Sequence, residues 1–437
     1  MNPVRNSPSR YLYSNIKLRE KQRKISDRVK INTDPQKVKE DKSSSPPFAT
    51  AWVIEEVLMR GVENIYPNRE ALKSVLLSGK KLRIYNGIDP TGKLHIGHLV
   101  VFRKLRQFQD LGHEIIILIG DFTATIGDPT DKKAARQPLT KEQVLKNARG
   151  YKKQIAKFLD IKKSNIRFLR NSEWINKLKP KDMLGLASNF TVARLLERDM
   201  FQERIKVGKD ILVHEFLYPI FQAYDSVAMD VDMEVGGNDQ TFNMLRGRDL
   251  RKSIKNKEKF VVTLKLLTDP SGKKMGKTEG NMVNINEKPG QMFGKIMSWP
   301  DSLLEIGFEL LTSIPLDKVK GILKNPREAK AKLAEEIVGI CHGQFVAKAV
   351  EKEFERVFKD RGLPTKIPEI ELTEISLNIL DLLVKTKLAS SKSEAKRLIL
   401  QKGVKIKGQI QEDWKKIIEI KKGEILQVGK RKFVRIV

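Results

Sequence analysis

Leu82-Arg83-Ile84-Tyr85-Asn86-Gly87-Ile88, followed by Asp89-Pro90-Thr91-Gly92 and then by His95-Ile96-Gly97-His98, decides the fold. The first seven residues predict a short buried strand, and Asp89-Pro90-Thr91-Gly92 the turn that closes it. Apolar residues at Leu94, Leu99, Phe102 and Leu105 predict a helix through Asp110. Strand, glycine-containing turn and helix in succession bring backbone N–H groups and a helix N-terminus to one point, where a phosphate is well held. His95 and His98, three apart, fall on one face of the first helical turn and can both donate to phosphate oxygens. An H-x-x-H pair can also bind a metal, but His113, His214 and His342 are scattered and offer no third ligand, so no metal site is expected.

A second segment lies far downstream. Lys274-Met275-Gly276-Lys277-Thr278 follows the glycine- and serine-containing run Asp269-Pro270-Ser271-Gly272-Lys273. Two lysines three apart with a hydroxyl beside them suit a loop that grips a triphosphate. Alone, such a run is more often a solvated turn; the two segments in this order on one chain favour the phosphate reading.

Together they resemble the two signatures of the class I aminoacyl-tRNA synthetases, and the residues between them narrow the resemblance to the bacterial-type tyrosyl-tRNA synthetase family. Four segments carry it: Tyr85 to Thr91; Gly127-Asp128-Pro129-Thr130 with Lys132 and Arg136; Tyr218-Pro219-Ile220-Phe221-Gln222-Ala223-Tyr224-Asp225; and Gly236-Gly237-Asn238-Asp239-Gln240. The likeness runs from about Trp52 to the C-terminus. Met275-Gly276-Lys277-Thr278 stands where Met-Ser-Lys-Ser is commoner, and Asn86 and Thr241-Phe242 also depart from the usual pattern.

The resemblance implies a reaction that joins the carboxylate of L-tyrosine to the α-phosphate of ATP and then moves tyrosine to the 3′ end of tRNA(Tyr). It implies catalytic roles for His95, His98, Lys132, Arg136, Lys274, Lys277 and Thr278. ATP would be flanked by Gly87, Asp89, Thr91, Asp239 and Met275 as well as by the histidines and lysines. Tyr85 and Asp225 would meet the phenolic hydroxyl, Tyr218, Gln222 and Asp128 the α-amino group, and Gln240 the tyrosine. Mg²⁺ is implied as the counter-ion of ATP, a homodimer as the assembly, and no tightly bound cofactor. Tyr224, taken alone, reads as core. A tryptophanyl-tRNA synthetase shares both signatures, but Tyr85, Asp225 and the basic tail argue against it. A noncatalytic RNA-binding paralogue would be expected to have lost the histidines or Lys277, and all are present.

The 437 residues carry a formal charge of +30 and a pI near 9.9, which implies a polyanionic partner, nucleic acid first and an anionic membrane surface second. No run is long enough to span a membrane, and Cys341, the sole cysteine, excludes an internal disulfide. The chain reads as cytoplasmic. Residues 1–50 lack apolar periodicity and are basic; they are expected to be a disordered extension. Arg5, Arg10, Arg19 and Arg23 fit a transit peptide, Glu20, Asp27 and Asp34 count against one, and a misassigned start is a further alternative.

Alternating strands and helices over 51–288 predict a doubly wound parallel sheet, Rossmann-like, with ligands at the carboxyl ends of its strands. Strands are expected at Ile115–Ile119, Ile166–Leu169, Met233–Val235 and Val261–Leu266, and helices at Glu142–Leu159, Trp174–Phe201, Phe216–Ala228 and Thr241–Arg251. An α-helical domain, anticodon-side by the resemblance, is expected over 289–360, and a linker over 361–375. Residues 376–437 predict a small α+β domain resembling the S4 RNA-binding type, whose helix carries Lys392, Lys396 and Arg397 at a spacing suited to phosphates.

Overall fold

The computed structural model describes residues 48–128, 139–268, 282–358, 367–429 and 432–437. Lys132, Arg136, Lys274, Met275, Lys277, Thr278 and most of the N-terminal extension lie outside them. The chain divides into two compact units, one through Gln344 and one from Phe345.

A six-stranded sheet organises the first unit: β1 (Val62–Tyr66), β2 (Arg83–Ile88), β3 (Glu114–Ile119), β4 (Ile166–Arg170), β5 (Met233–Gly237) and β6 (Phe260–Leu264). Its spatial order is β1-β6-β5-β2-β3-β4, all neighbours parallel except β1 against β6. A parallel sheet is covered on both faces, which is why β3 is almost wholly apolar and its five residues from Ile115 to Ile119 are all buried. The order turns around between β2 and β5, the place where a doubly wound sheet opens for a ligand. Pairing of β2 with β3 continues to Ile88, whereas pairing of β2 with β5 is confined to Ile84 and Tyr85. Beyond Tyr85 the two strands part, and the Asn86 side-chain amide bridges the gap to the Val235 carbonyl at 2.8 Å.

The expected strands are present within one or two residues at each end. β1 was not expected; Glu63 and Asn64 interrupt its alternation, and a bulge falls at the same place. The expected helix Glu142–Leu159 is instead Lys141–Ala148 and Tyr151–Ile155, parted at Arg149-Gly150. Trp174–Phe201 is not one helical segment but part of four short helices: Ser172–Ile175, Pro180–Ala187, Val192–Leu196 and Asp199–Lys206. Pro180 forces Lys179 into extended backbone (ψ 160°), and Thr191 caps a fresh start by accepting from the Arg194 N–H.

The helical stretch after Pro289 packs on the sheet domain as far as Gln344. Arg60 donates to the carbonyls of Phe308 and Glu309 at 2.9 Å each, and Arg103 reaches the Thr312 carbonyl at 2.5 Å. Cys341 is buried there as a core thiol, its pKa pushed up to about 12 by loss of water. Among the described residues, no helix is long and apolar enough to cross a membrane.

In the second unit, helices Ile379–Lys385 and Lys392–Leu400 pack on small sheets around Leu382, Leu383, Ile399 and Leu426. Here the sequence showed less. Strands Ser376–Asn378, Gln409–Ile410 and Ile417–Glu419 were unexpected, and the basic tail contains a strand, Lys432–Ile436, whose Phe433, Val434 and Ile436 are buried. Glu369–Ile370 pairs in parallel with that strand, so the sheet begins inside the stretch expected to be linker.

Candidate active site

A cavity of about 440 Å³ opens where β2 and β5 diverge. It is lined by Tyr85, Asp128, Tyr218, Gln222, Asp225 and Gln240, and also by Gly87, Asp89, Thr91, His95, His98 and Asp239. Every site residue expected from sequence that lies among the described residues of the first unit therefore borders one space. Gly87, Thr91 and Asp239 are exposed at its mouth, and Tyr85 and Asp225 are buried at its floor.

At the mouth, His95 is the N-cap of the helix Ile96–Asp110. Its Nδ1 accepts from the Gly97 N–H and the His98 Nδ1 accepts from the His95 N–H, both at 3.2 Å. A neutral imidazole that accepts through Nδ1 carries its proton on Nε2, so the cap fixes both rings in the tautomer whose Nε2 donates. The rings sit 4.1 Å apart between centroids, one edge toward the other. The return of the chain after the undescribed 269–281 reaches the same place: Ile96 donates to the Val283 carbonyl at 2.9 Å and Ile285 to the Leu94 carbonyl at 3.1 Å. The upstream flank of that segment, Leu264 to Leu267, also lines the cavity.

Asp89 stands midway. Its carboxylate accepts from Thr123 Oγ1 at 2.7 Å and from the Tyr218 hydroxyl at 2.9 Å. Gly120 makes this approach possible, since a Cβ there would lie 2.0 Å from Asp89 Oδ1. Loss of water, reinforced by Asp128 and Asp121, pushes the Asp89 carboxyl up to about 7 despite its two donors. The surplus of acidic groups favours a cation in this part of the cavity. Asp128 accepts from Arg198 at 3.0 Å and from Gln240 at 2.8 Å, and Asn243 donates in turn to the Gln240 carbonyl oxygen at 3.0 Å.

On the floor, Asp225 accepts from Trp174 Nε1 at 2.8 Å and from Asn171 Nδ2 at 3.3 Å, and burial raises its carboxyl well above the usual range. The Tyr85 hydroxyl is 2.9 Å from Ser226 Oγ. Gln222 donates to Glu234 at 3.2 Å, and its own carbonyl oxygen is buried with no partner among the described residues. Tyr224 belongs to the core beside this floor, as expected.

The sequence reading missed Thr123, Asn171, Trp174, Ser226, Glu234 and Lys259. Asn171 was within reach because it directly follows β4 at a carboxyl end, and Glu234 because it is a charge inside an apolar strand.

Two family models match this chain. Residues 77–359 match the model described as tRNA synthetases class I (W and Y), and residues 358–436 match the C-terminal domain described as Tyrosine--tRNA ligase SYY-like. The tyrosine-tRNA ligase of Thermotoga maritima is 45% identical over 390 residues, which cover 87% of this chain and 96% of its own length. The chain belongs to the tyrosine-tRNA ligase family. Tyrosine-tRNA ligase 2 of Vibrio cholerae is 46% identical over 387 residues, covering 87% of this chain and 97% of its own. Among solved structures, the C-terminally truncated mitochondrial tyrosyl-tRNA synthetase of Coccidioides posadasii has the same fold, with a TM-score of 0.57 at 23% identity, over 78% of this chain and 98% of that one. The tyrosyl-tRNA synthetase of Archaeoglobus fulgidus, solved with L-tyrosine, aligns with a TM-score of 0.55 at 20% identity over 69% and 99%.

Proposed function

We infer that this ligase binds L-tyrosine on the floor of the cavity and ATP at its mouth, and that it charges tRNA(Tyr). The tyrosine carboxylate attacks the α-phosphorus of ATP; a new oxygen–phosphorus bond forms, the bond to the β-phosphate oxygen breaks, and pyrophosphate leaves. The terminal ribose hydroxyl of the tRNA then attacks the tyrosyl carbonyl carbon and AMP leaves. Such chemistry rests on positioning and charge stabilisation, and it needs no nucleophilic side chain.

The observation that carries this reading is the gathering of Tyr85 and Asp225, both buried, on one floor of the cavity beside Asn171, Gln222 and Glu234. A phenolic hydroxyl needs a donor and an acceptor there, and these two provide them. The unpartnered Gln222 oxygen, with Tyr218, Asp128 and the Asp89 carboxylate nearby, suits the α-ammonium. Nε2 of His95 and of His98 would donate to phosphate oxygens at the helix N-terminus. Lys132, Arg136, Lys274, Lys277 and Thr278, which lie outside the described residues, would add donors, and Gly87, Thr91, Asp239 and Met275 would border the nucleotide. Mg²⁺ would enter with ATP as counter-ion to its phosphates.

A homodimer and a cytoplasmic place of work belong to the same reading. Leu184, Val192, Leu212 and Val213 are exposed apolar side chains of the catalytic unit, and a second copy would cover such groups.

In the second unit, Lys392, Lys396 and Arg397 are exposed on one helix; Lys392 pairs with Asp381 at 2.6 Å and the Lys396 ammonium lies 4.0 Å from the Trp414 ring centroid. Cations beside an aromatic face suit an RNA strand, with phosphates on the one and a base on the other. The full chain should charge tRNA with labelled tyrosine and not with labelled tryptophan. Replacing all three basic residues by alanine should weaken tRNA binding, and the slope of log affinity against log salt should become shallower by about 2. Amino-acid activation should be unaltered. Charging with tryptophan would refute the substrate; an unchanged salt slope would remove this helix from the tRNA surface.

A further inference from the structure

Beneath the cavity floor lies a chain of buried polar groups that the tyrosine reading does not by itself require. Lys259, the residue before β6, is fully buried, as are Ser226 and Tyr85, and Glu234 is 3% exposed. The Lys259 ammonium donates to Glu234 and, at 2.8 Å, to Ser226 Oγ. Ser226 Oγ is 2.9 Å from the Tyr85 hydroxyl, and Glu234 accepts from Gln222 through its other oxygen. Gly247 leaves room for the crossing: a Cβ there would lie 2.6 Å from the Lys259 nitrogen and 2.7 Å from Ser226 Oγ. Neither Lys259 nor Ser226 lines the cavity, whereas Tyr85, Gln222 and Glu234 do.

An ion pair in the core is costly to desolvate, and an apolar pair of similar volume would be at least as stable. Its value here lies in direction. An ammonium can only donate, so Lys259 occupies a lone pair of Ser226 Oγ. The single Ser226 proton is then available to the Tyr85 oxygen, and the Tyr85 proton, which also faces the Glu234 carboxylate, is available to a ligand in the cavity. We propose that Lys259, held by Glu234, orients the hydrogen bonds running through Ser226 and Tyr85 so that Tyr85 donates to the phenolic oxygen of bound tyrosine. The substrate hydroxyl then donates to Asp225. Lys259 and Ser226 are positioning residues for specificity, and the inference rests on the cavity being the tyrosine site. Burial raises the Tyr85 hydroxyl pKa well above its usual value, which keeps the proton on the group that must donate it.

The test measures kcat/KM for tyrosine and for phenylalanine in ATP–pyrophosphate exchange by the full chain, its Ser226→Ala variant and its Glu234→Gln/Lys259→Met double variant. The double variant removes both charges together, so no lone charge is left in the core, and the small Ser226→Ala change guards against a folding failure in it. Ser226→Ala should lower kcat/KM for tyrosine about tenfold, the loss expected when a donor to a buried hydroxyl is misdirected. The value for phenylalanine, which has no hydroxyl to read, should stay within about twofold. The double variant should lose the same selectivity. A parallel fall for both amino acids, or an unaltered ratio in Ser226→Ala, would overturn the proposal. Wild-type exchange that does not depend on tyrosine would instead refute the site reading beneath it, and the same assay tells the two failures apart.

Discussion

Replacing Lys277 by alanine should slow tyrosyl-adenylate formation by about two decades and leave the affinity for tyrosine nearly unchanged. The lysine lies in the Lys274-Met275-Gly276-Lys277-Thr278 segment, and the described residues on both sides of that segment converge on the cavity mouth. On the upstream side Leu264 to Leu267 line the cavity; on the downstream side Val283 is bonded to the first residue of the helix capped by His95. Negative charge grows on the phosphates as pyrophosphate departs, and on the proposed reading the tyrosine side chain would lie at the floor, away from them. A donor aimed at that growing charge is worth about 3 kcal/mol in the transition state and little in the ground state. Single-turnover adenylate formation and equilibrium dialysis with tyrosine separate the two effects. Weak tyrosine binding together with normal activation would contradict the assignment.

Phenylalanine should be rejected by a larger factor. Discrimination of roughly 10⁵ is the magnitude established for tyrosyl-tRNA synthetases, reached without editing. The physical cause is on the cavity floor. Asp225 receives Trp174 and Asn171 and keeps capacity to accept from a ligand hydroxyl, and on the proposed reading Tyr85, 2.9 Å from Ser226 Oγ, would be its donor. Phenylalanine would exclude water from both groups and satisfy neither, which costs far more than the missing contact itself. Competitive charging with both amino acids measures the ratio. A ratio below about 10³ would mean that these groups do not face the ring's para position.

How much of this was legible depended on how each element signals burial. Strands β3 and β6 were readable because parallel strands covered on both faces are runs of apolar residues, as in Ile115 to Ile119. β1 sits at the sheet edge, half-exposed and interrupted by Glu63 and Asn64, so nothing in its pattern marks a strand. In the second unit Val404–Ile406 and Ile425–Val428 were readable as strands from their apolar residues, whereas Glu369–Ile370, Ser376–Asn378, Gln409–Ile410 and Ile417–Glu419 were missed because two or three residues carry no period. Residues at the strand ends could be named because their motifs are contiguous. Their supports could not, since Asn171, Ser226 and Lys259 come from separate parts of the chain and meet only in the fold. The sequence pairs Tyr85 with Asp225; the structure adds that each is held by a different set of partners, Ser226 for one and Trp174 with Asn171 for the other.

Amino-acid-dependent ATP–pyrophosphate exchange, run with each of the twenty amino acids, tests the account most directly, because it reports the cavity's choice of substrate and the phosphate chemistry without tRNA. Tyrosine alone should drive exchange. Exchange driven by tryptophan, or exchange that proceeds with no amino acid present, would contradict the assignment of Tyr85, Gln222 and Asp225 to a bound tyrosine.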